Sequence, residues 1–305
     1  MTAELRDLRW AIVAGRYRSL RQAAETLNVR QSTLSRRLRD LEHRLGGVLF
    51  ERTNGGTRPT FAGQEFLETA RRIVEETDAA FRRLRARCKG ESGQLTIGIY
   101  TSLSTGNLRA TLMDHRRSFP DVEVHTVDGH RNHLLYDLAS NTVDVVIMTA
   151  GREGWDDRTL ALWSERVIIA LPEYHPLSAH AIIRWNDLRN EQLLLPESNP
   201  GPEFARLLAV KLDGPGSFRA LHQDVGLDRL LTLVSAGYGA LLVLEGATGA
   251  HYDGVVYREV HDHEGPTRLH FMAYWRQANS NPTLGPFLDM LRERYPDLSA
   301  EPAPR

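Results

Sequence analysis

Cysteine is almost missing from this chain: Cys88 is the only one in 305 residues. That excludes an internal disulfide and any zinc framework built on cysteines. No run of about 18 apolar residues occurs, so no membrane-spanning helix is expected. The opening MTAELRDLRW carries charge where a signal peptide needs an apolar stretch, and a cytoplasmic location is expected. Catalytic signatures are missing as well. There is no G-x-S-x-G, no G-x-x-x-x-G-K and no H-E-x-x-H. GYG at Gly237 to Gly239 follows a helical pattern, where a dinucleotide fingerprint follows a strand, so it reads as a helix end and tight turn. His130 with His133, and His261 and His263 with Glu264, offer two or three ligands each on loop-like stretches, too few for a metal centre. Neither a metal, a cofactor nor an enzymatic reaction is expected.

What the chain does have is unevenly placed charge. Residues 1–90 hold 19 Lys and Arg against 11 Asp and Glu, while the remainder holds 19 against 28. A basic segment on an otherwise acidic protein suits phosphate neutralisation, the acidic part keeping the rest of the surface off a polyanion.

The first 60 residues have the pattern of three short helices and a hairpin. Leu5, Leu8, Ile12 and Val13 form one apolar stripe, and Leu20, Ala23, Ala24 and Leu27 a second. In the third, Leu34, Leu38, Leu41 and Leu45 face a core, which leaves Gln31, Ser32, Ser35, Arg36 and Arg39 on the opposite face. The turn Asn28-Val29-Arg30 between the second and third helices is so short that they must cross steeply, as in a helix-turn-helix. VLFERT and TRPT then flank NGG, a hairpin signal, and a hairpin in that position is a wing. Thr60 can cap a long helix to about Arg87. Along it Phe66, Ala70, Ile73, Thr77, Ala80 and Leu84 make a coiled-coil-like seam, with Leu67, Val74 and Phe81 as a second stripe, so pairing with another subunit is expected. Beyond the linker KGESGQ, strands and helices alternate: LTIGIY, a helix over 105–118, VEVHTV, a helix near 131–140, VDVVIM, and a second set from RVIIALP to GALLVL. The strands are nearly all apolar, which predicts two α/β lobes with covered sheets and a ligand cleft beyond the strand ends.

SLRQAAETLNVRQSTLSRRLRDLEHRLGGVLFERT followed by PTFAG resembles the LysR-type transcriptional regulators. The resemblance implies a multi-domain α/β chain: an N-terminal winged helix-turn-helix (1–60), a long linker and dimerisation helix (61–89), a hinge (90–93) and a two-lobed, periplasmic-binding-protein-like effector domain (94–300). Lobe one would take 94–163 and 269–300, and lobe two 164–268, with crossings near Trp163 and Arg268. It implies a sequence-specific regulator on double-stranded DNA, homodimeric through the linker helix and assembled further into a homotetramer, answering to a small-molecule effector. The alternative is a small-molecule-converting enzyme or binding protein with an appended helix-turn-helix.

Carried over residue by residue, the resemblance places Gln31, Ser32, Ser35 and Arg36 in the major groove and starts the wing at Arg52 and Thr53. The chemistry suits those roles, since Gln pairs with adenine, Arg with guanine, and Ser with bases or phosphate. Arg39 shares their helix face. Arg30 is a departure, because family members commonly have Ser there. Arginine cannot accept hydrogen bonds from the first-turn amides, and its charge opposes the helix dipole. Either Ser32 caps a helix starting two residues later, or DNA phosphate supplies the missing anion and Arg30 is a phosphate clamp. For the effector, fold analogy points to Thr101, Ser102, Thr149 and Ser198, with Ser104 and Gln223 beside them. No Arg or Lys precedes Arg109 around the end of the first strand, so a neutral ligand, or one held by amides, is expected.

Overall fold

The computed structural model describes residues 4–53, 56–151, 155–197, 200–212, 214 and 218–296. Two compact units divide the chain, residues 1–86 and 87–305.

In the first unit, α1 (Leu5–Ala14), α2 (Leu20–Thr26) and α3 (Gln31–Leu45) precede the strands β1 (Phe50–Thr53) and β2 (Gly56–Pro59) and the helix α4 (Phe61–Cys88). Their core gathers Leu8, Ala11, Ile12, Ala23, Ala24, Leu34, Leu38 and Leu41, closed by Leu67 and Ala70 of α4. Leu45 ends the α3 stripe in solvent rather than in the core. The methyl side chains of Ala23 and Ala24 let α2 cross closely over α3. Asn28 makes the turn with a left-handed backbone, φ 53°, and Gly46 ends α3 in the same conformation, φ 71°.

Thr60 Oγ1 caps α4 by accepting the Gly63 amide at 2.9 Å, as expected. Gly63 is obligatory by contact, since a Cβ there would lie 2.1 Å from the Leu49 carbonyl oxygen. Asp7 joins α1 to α3. Its buried carboxylate meets Arg37 at 2.9 Å and Arg44 at 2.5 Å. Burial pushes this carboxyl up, but the hydrogen bonds and charges of Arg44 and Arg37 outweigh it and hold it below the usual aspartate range.

Among the described residues the second unit is a sheet of ten strands packed with helices. In chain order it runs β3 (Ser92–Ile99), α5 (Gly106–Ser118), β4 (Asp121–Asp128), α6 (Arg131–Ala139), β5 (Val145–Thr149), β6 (Arg158–Pro172), β7 (Ile182–Arg184), β8 (Gln192–Pro196), α7 (Gly201–Lys211), β9 (Arg219–Gln223), α8 (Leu227–Ser235), β10 (Ala240–Leu244), β11 (Val255–His261), β12 (Arg268–Trp275) and α9 (Leu284–Arg294). One half has the order β4-β3-β5-β12-β6 and the other continues β6-β10-β8-β9, with β11 and β7 on the remaining side of β6.

Strand β6 therefore belongs to both halves. It pairs with β12 as far as Arg166 and with β10 and β11 from Val167 onward. Sequence patterning anticipated only its second part, RVIIALP, because RTLALWSE, Arg158 to Glu165, has polar pairs at both ends of a short apolar stretch and neither alternates nor carries a turn residue to announce a strand. Gly237, φ 82°, makes the turn after α8, as GYG suggested. Among the described residues no helix is long and apolar enough to cross a membrane.

Candidate DNA interface and ligand cleft

The N-terminus of α3 stands open. Arg30 occupies the N-cap position with an extended backbone, φ −70° and ψ 139°, its side chain makes no capping bond, and the first turn contains no acid. The helix begins at Gln31, so Ser32 does not start it two residues later. Ser32 lies exposed within the first turn, and Arg30, Gln31, Arg36 and Arg39 are exposed as well. Ser35 departs from the expected exposed face. It is only 9% exposed and lies in a groove shared with Leu20, Arg39, Phe50 and Thr57. Its carbonyl accepts the Arg39 Nε proton at 3.3 Å. Arg37 and Arg44 are turned away from this face, toward Asp7.

The wing is fastened to the recognition helix. Glu42 Oε1 accepts the amides of Leu49 at 2.8 Å and Phe50 at 3.0 Å, so the hairpin leaves α3 at a fixed angle. On the other side the Thr57 amide donates to the Arg18 carbonyl at 2.8 Å. Gly56, φ 111°, allows this approach, for a Cβ there would sit 2.2 Å from that same oxygen. Arg52 and Thr53 form the end of β1, opposite Thr57 and Gly56.

In the second unit a cavity of about 380 Å³ opens where β3, β4 and β8 end, as ligand sites in such sheets do. Leu103, Phe204, Leu227, Leu230 and Leu242 supply its apolar wall, and Thr101, Ser102 and Asp128 its polar groups. Of the five expected effector residues that are described, Thr101 and Ser102 line it. Thr101 Oγ1 is buried without a hydrogen-bond partner, and Ser102 Oγ accepts the Ser104 amide at 3.2 Å. Ser104 instead donates to the Gly246 carbonyl at 2.7 Å. Gln223 ends β9, its carbonyl accepting the Glu197 amide at 2.9 Å. Ser198 lies outside the described residues.

Thr149 is committed to a polar network behind the cavity wall. Its hydroxyl is 2.5 Å from the Tyr100 hydroxyl, and its amide donates to Tyr100 at 2.9 Å. Arg131, at the start of α6, donates to the Thr149 carbonyl at 2.5 Å and through Nε to Glu203 of α7 at 3.3 Å. These two side chains are each 11% exposed, and they bridge the two halves of the sheet. Burial and the nearby Glu203 charge push the Tyr100 hydroxyl up to about 12. Burial works against the Arg131 charge, yet Tyr100, Tyr274 and Glu203 together hold its pKa above the ordinary arginine value.

Arg131 is a cation near the cleft that sequence reasoning missed, placed behind the cavity wall and not among its lining residues. It comes from a helix start about thirty residues beyond the first strand, inside a stretch whose histidines drew attention instead. His130 is the N-cap residue of α6, and His133 faces Asp137 at 3.4 Å. His261 pairs with Glu259 and His263 with Glu264. No group of three potential metal ligands occurs among the described residues.

Comparison with known proteins accounts for both units. Residues 5–64 match the family described as bacterial regulatory helix-turn-helix protein, lysR family, and residues 89–296 match the LysR substrate binding domain. BudR of Raoultella terrigena, an HTH-type transcriptional regulator, is 26% identical over 291 residues, 94% of this chain and 99% of that one. The DNA-binding transcriptional dual regulator OxyR of Escherichia coli K12 is 28% identical over 258 residues, 83% of each. The crystal structure of CbnR, a LysR family transcriptional regulator, has the same fold, with a TM-score of 0.84, 22% identity and coverage of 95% of this chain and 100% of that one. Full-length CbnR complexed with its target DNA also matches, with a TM-score of 0.77, 22% identity and coverage of 96% and 99%. The chain belongs to the LysR family of DNA-binding transcriptional regulators.

Proposed function

We propose that this regulator binds a dyad-like DNA site as a dimer paired through α4, and that a small molecule entering the cleft shifts the dimer's hold on DNA. Each recognition helix lies in a major groove, with Gln31, Ser32, Arg36 and Arg39 at base edges and phosphates, and with Ser35 reached only at the floor of its groove. Arg30 lies on a phosphate, and Arg52 and Thr53 carry the wing toward the backbone. The observation that carries this reading is the uncapped, acid-free N-terminus of α3 beneath an exposed polar and cationic face. The fixed wing beside it and the DNA complex of CbnR are in keeping with it.

On α4, Ile73, Phe81 and Leu84 remain exposed, Leu84 at 61%, and pairing with a second α4 would cover them. The working partition is 1–60, 61–89, 90–93 and 94–300, with lobes 94–163 plus 269–300 and 164–268, in a cytoplasmic homotetramer. Effector binding then biases a pre-existing equilibrium between lobe arrangements, with no reaction catalysed. The test is fluorescence anisotropy of the full chain on its own upstream DNA across a salt series. Affinity should fall steeply with salt and keep a preference over scrambled DNA. A salt-independent or absent interaction would assign the N-terminal unit to protein contacts instead.

A further inference from the structure

Carboxylates outnumber cations around the cleft, Asp128, Glu203 and Asp228 against Arg131. Among the described residues Asp128, which is solvent-exposed, is the only charged side chain lining the cavity. Arg131, behind the wall, is paired with Glu203 through Nε, while its Nη1 and the Glu203 Oε2 are buried without partners. Two helix N-termini that would otherwise attract an anion carry their own carboxylates, Glu203 in the first turn of α7 and Asp228 in the first turn of α8, whereas the first turn of α5 has no acid. An anion entering this largely apolar chamber would lose its hydration, meet Asp128 and find no uncommitted cation among the lining residues. A donor meets the opposite situation at Asp128, whose carboxylate only accepts hydrogen bonds, while the unpartnered Thr101 hydroxyl can serve a donor or an acceptor.

We propose, resting on the effector role assigned to the cleft above, that its ligand is a compact, mostly apolar molecule ending in an amine or hydroxyl and not in a carboxylate. The apolar body occupies the leucine-lined part of the cavity, and the polar end donates to Asp128 and Thr101.

Three probes of nearly equal size test this on the full-length protein by calorimetry: benzylamine, benzyl alcohol and benzoate. The expected order is benzylamine, then benzyl alcohol, then benzoate, with the amine at least about tenfold tighter than benzoate, because replacing attraction by repulsion at one charge is enough for that ratio. In Asp128→Asn the ratio should collapse toward one while benzyl alcohol binding is kept. Leu242→Trp, which fills the cavity, should abolish binding of all three and so locate them in the cleft. Benzoate binding as tightly as benzylamine, or a ratio unchanged in Asp128→Asn, overturns the charge preference and leaves the effector role standing. Failure of all three probes to bind, whatever their charge, overturns the effector role of the cleft together with the inference.

Discussion

Replacing Glu203 by Gln tests whether the ion pair behind the cleft holds the two halves of the sheet together. The Arg131 Nε to Glu203 Oε1 distance is 3.3 Å, so with an effective dielectric constant of about 20 the attraction amounts to roughly 5 kcal/mol before desolvation is subtracted. Both side chains have lost most of their water. A single-partner deletion at a fully buried pair costs about 3–5 kcal/mol, mainly because the surviving charge is stranded. Gln keeps the shape and one acceptor, and Arg131 keeps the Thr149 carbonyl, so the expected loss is about 2 kcal/mol, or roughly 4–8 °C in Tm for a unit of this size.

Arg131→Met should cost more, about 3–5 kcal/mol, because it also removes the donors to Thr149 and Tyr100 and leaves the Glu203 charge alone. The double variant should lose clearly less than the sum of the two. Denaturant unfolding of the four proteins, followed by tryptophan fluorescence, gives the coupling energy. A coupling below about 0.5 kcal/mol would mean that the two residues act independently and that the pair is no clasp.

Three further outcomes follow from other sites. Arg30→Ser should leave the free protein equally or more stable, since a cap contributes about 0.5–2 kcal/mol, and should weaken DNA binding while lowering the salt slope by about one unit; anisotropy measures both, and an unchanged slope would place Arg30 in solvent. Asp7→Asn should destabilise the N-terminal unit by about 1–3 kcal/mol at neutral pH. Because the Asp7 carboxyl is held below its usual range, that difference should be lost as the pH falls through the folded-state value, which unfolding of both proteins between pH 7 and pH 2 would register. His115 is buried between Phe119 and Phe287, and burial lowers its pKa below the ordinary 6.5. The unfolded chain therefore takes up the proton first, so stability should be full above about pH 6.5 and fall below it, and His115→Leu should show a smaller loss of Tm between pH 7.5 and pH 5.5.

How much of this could be read in the sequence depends on the range of the interaction that fixes each feature. Helix α3 was legible because its leucines repeat every turn and its last glycine is local. The Thr60 cap and the pairing of β1 with β2 were legible for the same reason, while Asn54 and Gly55 of the expected turn lie outside the described residues. The cleft was not, because it is built from contacts distant along the chain. Thr101 and Ser102 could be placed from the end of one strand. Thr149, reached by the same fold analogy, ends another strand, and its hydroxyl is already taken by Tyr100, which no spacing rule reveals. Arg131 and Glu203 stand 72 residues apart, and each looks like an ordinary surface residue until α6 and α7 bring them together. Ser35 shows the limit within a helix. Periodicity puts it on the polar side, but the wing packs against that side and covers it.

Arg30 and Arg131 share an arrangement that bears on both sites. Each is a cation at the first or preceding residue of a helix, where the helix dipole disfavours it. At α6 the cost is offset inside the protein, by Glu203 and by the carbonyl of Thr149. At α3 no acid stands in the first turn and no side chain caps the helix, so the offset has to come from outside. The anion best suited to an exposed arginine beside free helix amides is a phosphate, and DNA presents phosphates in a row. The two arginines therefore predict opposite responses to neutralisation. Removing Arg131 should damage the fold and leave the DNA salt slope unchanged, whereas removing Arg30 should spare the fold and reduce the slope. If both variants lost stability alike, the helix-end argument for Arg30 would fail.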